Sequence, residues 1–249
     1  MTGIALITGA SRGIGAATAR LLAARDHAVC VNHRDSAAEA DAVVAEIARA
    51  GGRAIAVQAD MAREADIVAL FETVDGAFGP VTALINNAGY TGPNGRRVMD
   101  QDAEILDRVL RVNVAGPFLC AREAVRRMST ARGGAGGRIV NVSSTAAGRG
   151  SPNDWVDYAA SKAAIDTFTK GLALEVADEG IRVNALAPGL VDTEIHARSG
   201  APDRVTALAE RIPVKRAGTV DEIAQSIAWL ICDAPDYLTG AILPVGGGF

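Results

Sequence analysis

Tyr158 and Lys162 stand four residues apart in the run Asp157-Tyr158-Ala159-Ala160-Ser161-Lys162. In a helix that spacing puts both side chains on one face. A tyrosine at its ordinary pKa of about 10 exchanges protons poorly at neutral pH, and a cation beside it favours the phenolate and lowers that value. The pair therefore predicts a tyrosine tuned downward for proton transfer. Just upstream, Ile139-Val140-Asn141-Val142-Ser143-Ser144 reads as a strand that delivers two hydroxyls at its carboxyl end. A serine there can hydrogen-bond a substrate oxygen while the tyrosine exchanges a proton with it. A second run with chemistry in it lies near the start of the chain, Thr8-Gly9-Ala10-Ser11-Arg12-Gly13-Ile14-Gly15. Its three glycines follow an apolar segment (4–7) and precede an alanine-rich one (16–24). Glycines permit tight turning and close backbone approach, and a helix N-terminus offers free N–H groups and a positive dipole end to a diphosphate. The spacing, G-x-x-x-G-x-G, differs from the commoner dinucleotide turn G-x-G-x-x-G.

The elements that must hold these residues alternate from end to end. Apolar runs at 4–7, 28–32, 54–58, 83–86, 138–143, 182–186 and 241–245 read as strands. Between them, helical stretches are expected near 14–25, 36–50, 64–77, 101–128, 155–179 and 220–232. Their apolar residues recur at intervals of three and four, as in Ile105, Leu106, Val109 and Leu110. That rhythm predicts an α/β fold: one doubly wound domain over the whole chain, with a seven-stranded parallel sheet, helices on both faces and right-handed crossovers. The glycine-rich stretch at 132–137 reads as a surface loop. Residues 190–216 break the rhythm after Pro188-Gly189, at the carboxyl end of a strand, where open α/β sheets bind ligands. A substrate-covering lid is expected there.

Composition narrows the function classes. The chain has 249 residues, 49% of them hydrophobic, and a net charge of −4. That balance argues against nucleic-acid and anionic-membrane partners, which call for basic patches. No apolar run approaches the roughly 20 residues of a membrane span. With the first strand beginning by Ile4, there is no room for a secretory leader, so a cytoplasmic protein is expected. Cys30, Cys120 and Cys232 are odd in number, widely spaced and set beside apolar residues, and read as buried free thiols. The three histidines pair with no Cys or Asp at ligand spacing, so no metal site is expected.

Taken together, the chain resembles the short-chain dehydrogenase/reductase family in its single-domain form, from Thr8 to the C-terminus. The resemblance rests on the glycine turn, Asp60 after the third strand, and Asn86-Asn87-Ala88-Gly89 after the fourth. It extends to Asn113, the serine strand, Tyr158-x-x-x-Lys162, Pro188-Gly189-x-x-x-Thr193 and Leu238-Thr239-Gly240. It implies a Rossmann-type domain and a nicotinamide cofactor. It also implies Tyr158 as general acid–base, with Lys162 lowering its pKa and binding the nicotinamide ribose. A serine would orient the substrate carbonyl, and Asn113 would hold a water in a proton relay. Gly9, Ser11, Arg12, Gly13, Ile14 and Gly15 would surround the adenosine ribose and diphosphate. Asp60 and Met61 would touch the adenine, and Asn87, Ala88 and Gly89 the adjoining ribose. Pro188, Gly189, Val191 and Thr193 would line the nicotinamide or diphosphate.

Two departures from the family pattern matter. Its serine usually stands thirteen residues before the tyrosine, which here is Thr145. Ser144, which ends the strand, is the choice for the catalytic serine, with Ser143 the alternative. The C-terminal Val-Asp-Gly-Gly of the family is here Val245-Gly246-Gly247-Gly248, a change expected to touch packing rather than chemistry.

The end of the second strand, Asn32-His33-Arg34-Asp35, bears on the cofactor. NAD-binding folds place an acid there to accept from the ribose 2′-OH, and His33 occupies that position. Arg34 and Arg12 can instead fork onto a 2′-phosphate, so NADP(H) is expected over NAD(H). Asp35 is expected to point elsewhere, although a shifted register would restore an acid. The sequence thus reads as an NADP(H)-dependent oxidoreductase of a ketone or secondary alcohol, resembling members named glucose dehydrogenases or 3-oxoacyl reductases. An NAD-linked dehydrogenase and a non-catalytic nucleotide-binding regulator are the alternatives. The resemblance also implies a homotetramer, or else a dimer, joined through the helices at 101–128 and 155–179. Apolar Ala163, Ala164, Phe168, Leu172 and Val176 on the latter would contribute. Substrate choice would fall to the loops at 90–99 and 146–157, including Tyr90 and Trp155, and to the 190–216 lid.

Overall fold

A computed structural model describes residues 3–248, apart from the side chain of His196. Seven strands form one parallel sheet: β1 (Ile4–Ile7), β2 (Ala28–His33), β3 (Arg53–Gln58), β4 (Ala83–Asn86), β5 (Gly137–Val142), β6 (Ile181–Pro188) and β7 (Ile242–Val245). Their spatial order is β3-β2-β1-β4-β5-β6-β7. The order reverses between β1 and β4, and the crevice at such a switch point is where this architecture binds ligands.

Helices α1 (Gly13–Ala23), α2 (Ala37–Arg49), α3 (Glu64–Phe78), α4 (Ala103–Leu110), α5 (Gly116–Met128), α6 (Ala146–Arg149) and α7 (Val156–Glu175) follow in chain order. Then come α8 (Ile195–Arg198), α9 (Arg204–Ala209) and α10 (Val220–Cys232). Strand residues alternate between two cores, as the period of two requires. Ala5, Ile7, Val29 and Val31 pack under α1, α2 and α10. Leu6 and Cys30 face Phe71, Cys120 and Met128, contributed by α3 and α5. Burial on both faces makes the central strands β1 and β4 largely apolar runs.

Three expectations need correction. The single helix expected at 101–128 is two, α4 and α5, joined by a π-helical turn at Arg111–Ala115. Pro117 sits in the first turn of α5, where its missing N–H costs least. Gly116 packs so closely that a Cβ would lie 2.6 Å from the Met61 carbonyl oxygen. Secondly, Cys30 and Cys120 are buried, but Cys232 is only partly so. Thirdly, Val176 is buried in the chain's own core and Leu172 packs against it, so neither is outward surface. Among the described residues no helix is long and apolar enough to cross a membrane.

Candidate active site

A cleft of about 830 Å³ runs along the carboxyl ends of the strands. Every residue to which the sequence assigns a catalytic or cofactor-binding role lines it except Gly15 and Asn113. Tyr158 stands in the first turn of α7 and Lys162 one turn on. A buried chain of side-chain hydrogen bonds seats that helix on the sheet. Asn86 Nδ2 donates to Asn141 Oδ1 (2.9 Å), and Asn141 Nδ2 donates to Thr169 Oγ1 (2.9 Å). The Lys162 ammonium lies 5.5 Å from the Tyr158 ring centroid and donates to the Val142 carbonyl at 2.7 Å.

Both serines after β5 line the cleft, with different partners. Ser144 hydrogen-bonds Tyr158 and lines the cleft. Ser143 is buried, donates to the Lys162 carbonyl at 3.3 Å and also bonds Asp166. Burial pushes the Tyr158 phenol up to about 12, with the Ser144 hydrogen bond opposing it. The expected lowering by Lys162 is thus reversed, because desolvation of the phenolate outweighs the rest. Burial likewise pulls the Lys162 ammonium down to about 8. At neutral pH the site holds a protonated phenol beside a charged lysine.

Asn113 sits in the π turn and outside the cleft. Its amide hydrogens go to the Tyr90 carbonyl (2.8 Å) and Ser161 Oγ (3.0 Å), while its oxygen accepts from the Tyr90 N–H at 2.8 Å. The side chain therefore clasps the start of the 90–99 loop to α7. π turns inside helices gather at functional sites.

The glycine turn is shaped to cradle phosphate. Gly9 has φ +62°, and a Cβ on it would come 3.0 Å from Ala88 Cα. Gly13 has φ +53° and opens onto the cleft, its nearest neighbour being Thr193 Cγ2 at 3.8 Å. Helix α1 starts there without a side-chain cap, which leaves its first N–H groups facing the cleft. Gly15 lies behind the turn, where a Cβ would stand 2.6 Å from both Asn87 Nδ2 and the Gly9 carbonyl oxygen. Its glycine serves helix packing. Asn87, expected on the ribose, donates its amide to the carbonyls of Thr8 (2.9 Å) and Gly9 (3.0 Å). Thr8, at the head of the motif, accepts from the backbone N–H of both Asn87 and Ala88 at 3.0 Å.

At the β2 end, Asn32 holds three strands together. Its oxygen accepts from the Gly9 N–H (3.1 Å), and its amide nitrogen donates toward the carbonyls of His33, Val57 and Ala59 at 3.1–3.3 Å. His33 is buried at the cleft wall, and its Nδ1 is sealed from solvent without a hydrogen-bond partner. Asp35 does not point away as expected. Arg34 bonds it through Nε (3.1 Å) and Nη2 (2.5 Å), and Ser36 Oγ bonds its other oxygen at 3.3 Å. Arg12 bonds Ser36 and pairs with Glu194 (3.3 Å) and Glu39 (3.5 Å). Asp60 is gripped by Arg108 at 3.0 Å. Sequence reading passed over Arg108 and Ser36, as well as Arg149 and Arg204 on the substrate side. Ser36, next to Asp35, was within reach of it. The others arrive from remote loops and helices with no local motif. Among the described residues no group of three or more potential metal ligands converges.

The family model described as Enoyl-(Acyl carrier protein) reductase matches residues 9–249. The "Uncharacterized oxidoreductase YgfF" of Escherichia coli (strain K12) is 50% identical over 98% of this chain and 99% of its own length. A short chain dehydrogenase from Burkholderia cenocepacia J2315, solved in complex with NADP, superposes with TM-score 0.89 at 34% identity, covering 100% of this chain and 98% of that one. A blue fluorescent protein from a metagenomic library, solved with NADPH, gives TM-score 0.89 at 34% identity over 99% and 97%.

Proposed function

The chain belongs to the short-chain dehydrogenase/reductase family of oxidoreductases, and from that premise we propose that it reduces a ketone to a secondary alcohol with NADPH. The observation that carries the reading is the grouping of Ser144, Tyr158 and Lys162 on the wall of the same cleft as the uncapped α1 N-terminus. When bound, the nicotinamide supplies the hydride. Gly9, Gly13 and the first N–H groups of α1 hold the diphosphate, with Thr193 alongside. Ser144 orients the substrate oxygen by donating a hydrogen bond to it. Tyr158, kept protonated by burial, gives that oxygen its proton. Lys162, still charged at neutral pH, stabilises the phenolate left behind. With its amide spent on Tyr90 and Ser161, Asn113 serves the relay by fixing the start of the 90–99 loop against α7.

At the adenosine end Arg34 and Arg12 receive the 2′-phosphate, with His33 and Ser36 beside them. The NADP(H) complexes of the two structural neighbours support this choice. One observation favours an NAD-linked reading, the Asp35 carboxylate at the cleft wall. We further propose a cytoplasmic homotetramer formed through α4, α5 and α7, where Phe118 and Leu174 stand exposed. The test is direct. Purified chain offered ketones of varied size should consume NADPH in proportion to product alcohol. Tight NADPH binding with no turnover of any carbonyl would leave a nucleotide-binding regulator instead.

A further inference from the structure

The substrate half of the cleft carries two guanidiniums that the reaction itself does not use. Arg149 ends α6, one turn beyond Thr145, whose Oγ1 accepts from its Nη2 at 3.0 Å. Arg204 opens α9 in the lid, and its guanidinium lies 4.3 Å over the Trp155 ring. Trp155 is 5% exposed and meets Tyr158 edge-on, with ring centroids 6.1 Å apart. One indole ring thus separates the Arg204 charge from the acid–base residue. Asp154, directly before Trp155, ion-pairs Arg204 and fixes it there.

Both arginines line the cleft with Ser144 and Tyr158. They are close enough to oppose each other, since burial and then the Arg204 charge hold Arg149 below its ordinary value. Asp154 already answers the Arg204 charge, and an anion entering the cleft between the two guanidiniums would add charge-assisted hydrogen bonds to both. The acids that line the cleft, Asp35, Asp60 and Glu194, stand toward the cofactor turn, each on an arginine of its own. Beside Tyr158 stands the further charge of Lys162, and the lining also includes apolar Pro93, Leu190 and Leu208.

We propose that Arg149 and Arg204 form a seat for an anionic group on the substrate, a carboxylate or a phosphate monoester. The ketone reduced at Tyr158 would then be a compact molecule bearing that charge a few bonds from its carbonyl. The proposal rests on Tyr158 as the acid–base.

Matched pairs test it: 4-oxopentanoate against its methyl ester for a carboxylate, and dihydroxyacetone phosphate against dihydroxyacetone for a phosphate. The charged member of at least one pair should be favoured about tenfold or more in kcat/KM, as one charge-assisted contact would give. Arg149→Gln and Arg204→Gln should bring that ratio towards one, and Arg149→Lys should largely keep it. Equal turnover within both pairs, or a ratio unmoved by both Gln substitutions, overturns the seat. If no carbonyl is turned over, the catalytic reading fails, and binding still decides the seat. The chain has two tryptophans, so in a Trp229→Phe background fluorescence reports Trp155 alone. Tenfold tighter quenching by a charged member than by its neutral partner supports the seat, and equal quenching overturns it.

Discussion

Arg34 closes a two-pronged contact on its own neighbour Asp35, at 3.1 and 2.5 Å. Both side chains are about half exposed, at 51% and 55%, and an ion pair so placed contributes on the order of 0–1 kcal/mol. A charge-assisted hydrogen bond to a phosphate contributes about 1.5–3 kcal/mol. The phosphate should therefore outcompete Asp35 for Arg34, and NADPH should exceed NADH at least about tenfold in kcat/KM. Arg34→Ala should erode that preference mainly through KM for NADPH. Asp35→Ala, which frees Arg34, should widen it. Steady-state kinetics with both coenzymes decide, and a wild type that uses NADH equally well would make Asp35 the reader of the ribose.

Tyr158→Phe keeps the ring in its buried seat and removes the proton. Turnover should fall by about 10²–10⁴, the usual scale for loss of a general acid. NADPH binding, followed by calorimetry, should stay close to wild type. Substantial residual activity would refute the role.

The serines should separate by kind of effect. Ser144→Ala removes a donor at the developing oxyanion and should cost on the order of 3 kcal/mol in kcat/KM. Ser143→Ala breaks a buried bond to the Lys162 carbonyl instead, so a lowered melting temperature with milder kinetic loss is expected. The opposite ranking would move the catalytic role to Ser143.

Burial moves Lys162 and Tyr158 in opposite directions, which gives a pH signature. Lys162 loses its proton near 8 when folded and near its ordinary 10.5 when unfolded, so across that interval unfolding takes up a proton. Stability should rise with pH there. Tyr158 keeps its proton to about 12 when folded, so stability should fall again above its ordinary 10. Urea melts from pH 7 to about 9.5 should show the rise in wild type and lose it in Lys162→Met. Ketone reduction, which needs the charged lysine, should decline as pH rises through about 8. A rate flat across that range would detach Lys162 from the reaction.

Light scattering should find about four times the 25.6 kDa chain mass at micromolar concentration. Leu174 is 83% exposed on α7, and Phe118 on α5 is 47% exposed while stacked on Phe168 with centroids 3.7 Å apart. Leu174→Glu together with Phe118→Glu should split the assembly. A monomeric wild type would exclude this interface.

The sheet was legible because buried parallel strands must be apolar on both faces, and β1 and β4 fall where their apolar runs do. The glycine turn was legible because backbone conformation restricts the residue. The break at Arg111–Ala115 was half legible. Pro117 removes a backbone donor and so interrupts the regular α-helical ladder there, but no residue type announces a π turn. The Tyr158 environment was read with the wrong sign, since spacing reveals a neighbouring charge but not how deeply the sheet and loops bury it. Arg149 and Arg204 were invisible for a related reason. Each is an ordinary surface charge until α6 and α9 bring them to one cavity.

Asn32 limits how this chain could ever change its coenzyme. An aspartate there would match the amide in shape, yet where Asn32 now donates to backbone carbonyls it would present lone pair to lone pair. The join between the first three strands would lose its donors and gain repulsion. Selection or design that seeks a carboxylate for the ribose must therefore leave residue 32 alone and work from 33 onward. That leaves an acid grafted at His33, or the one already waiting at Asp35.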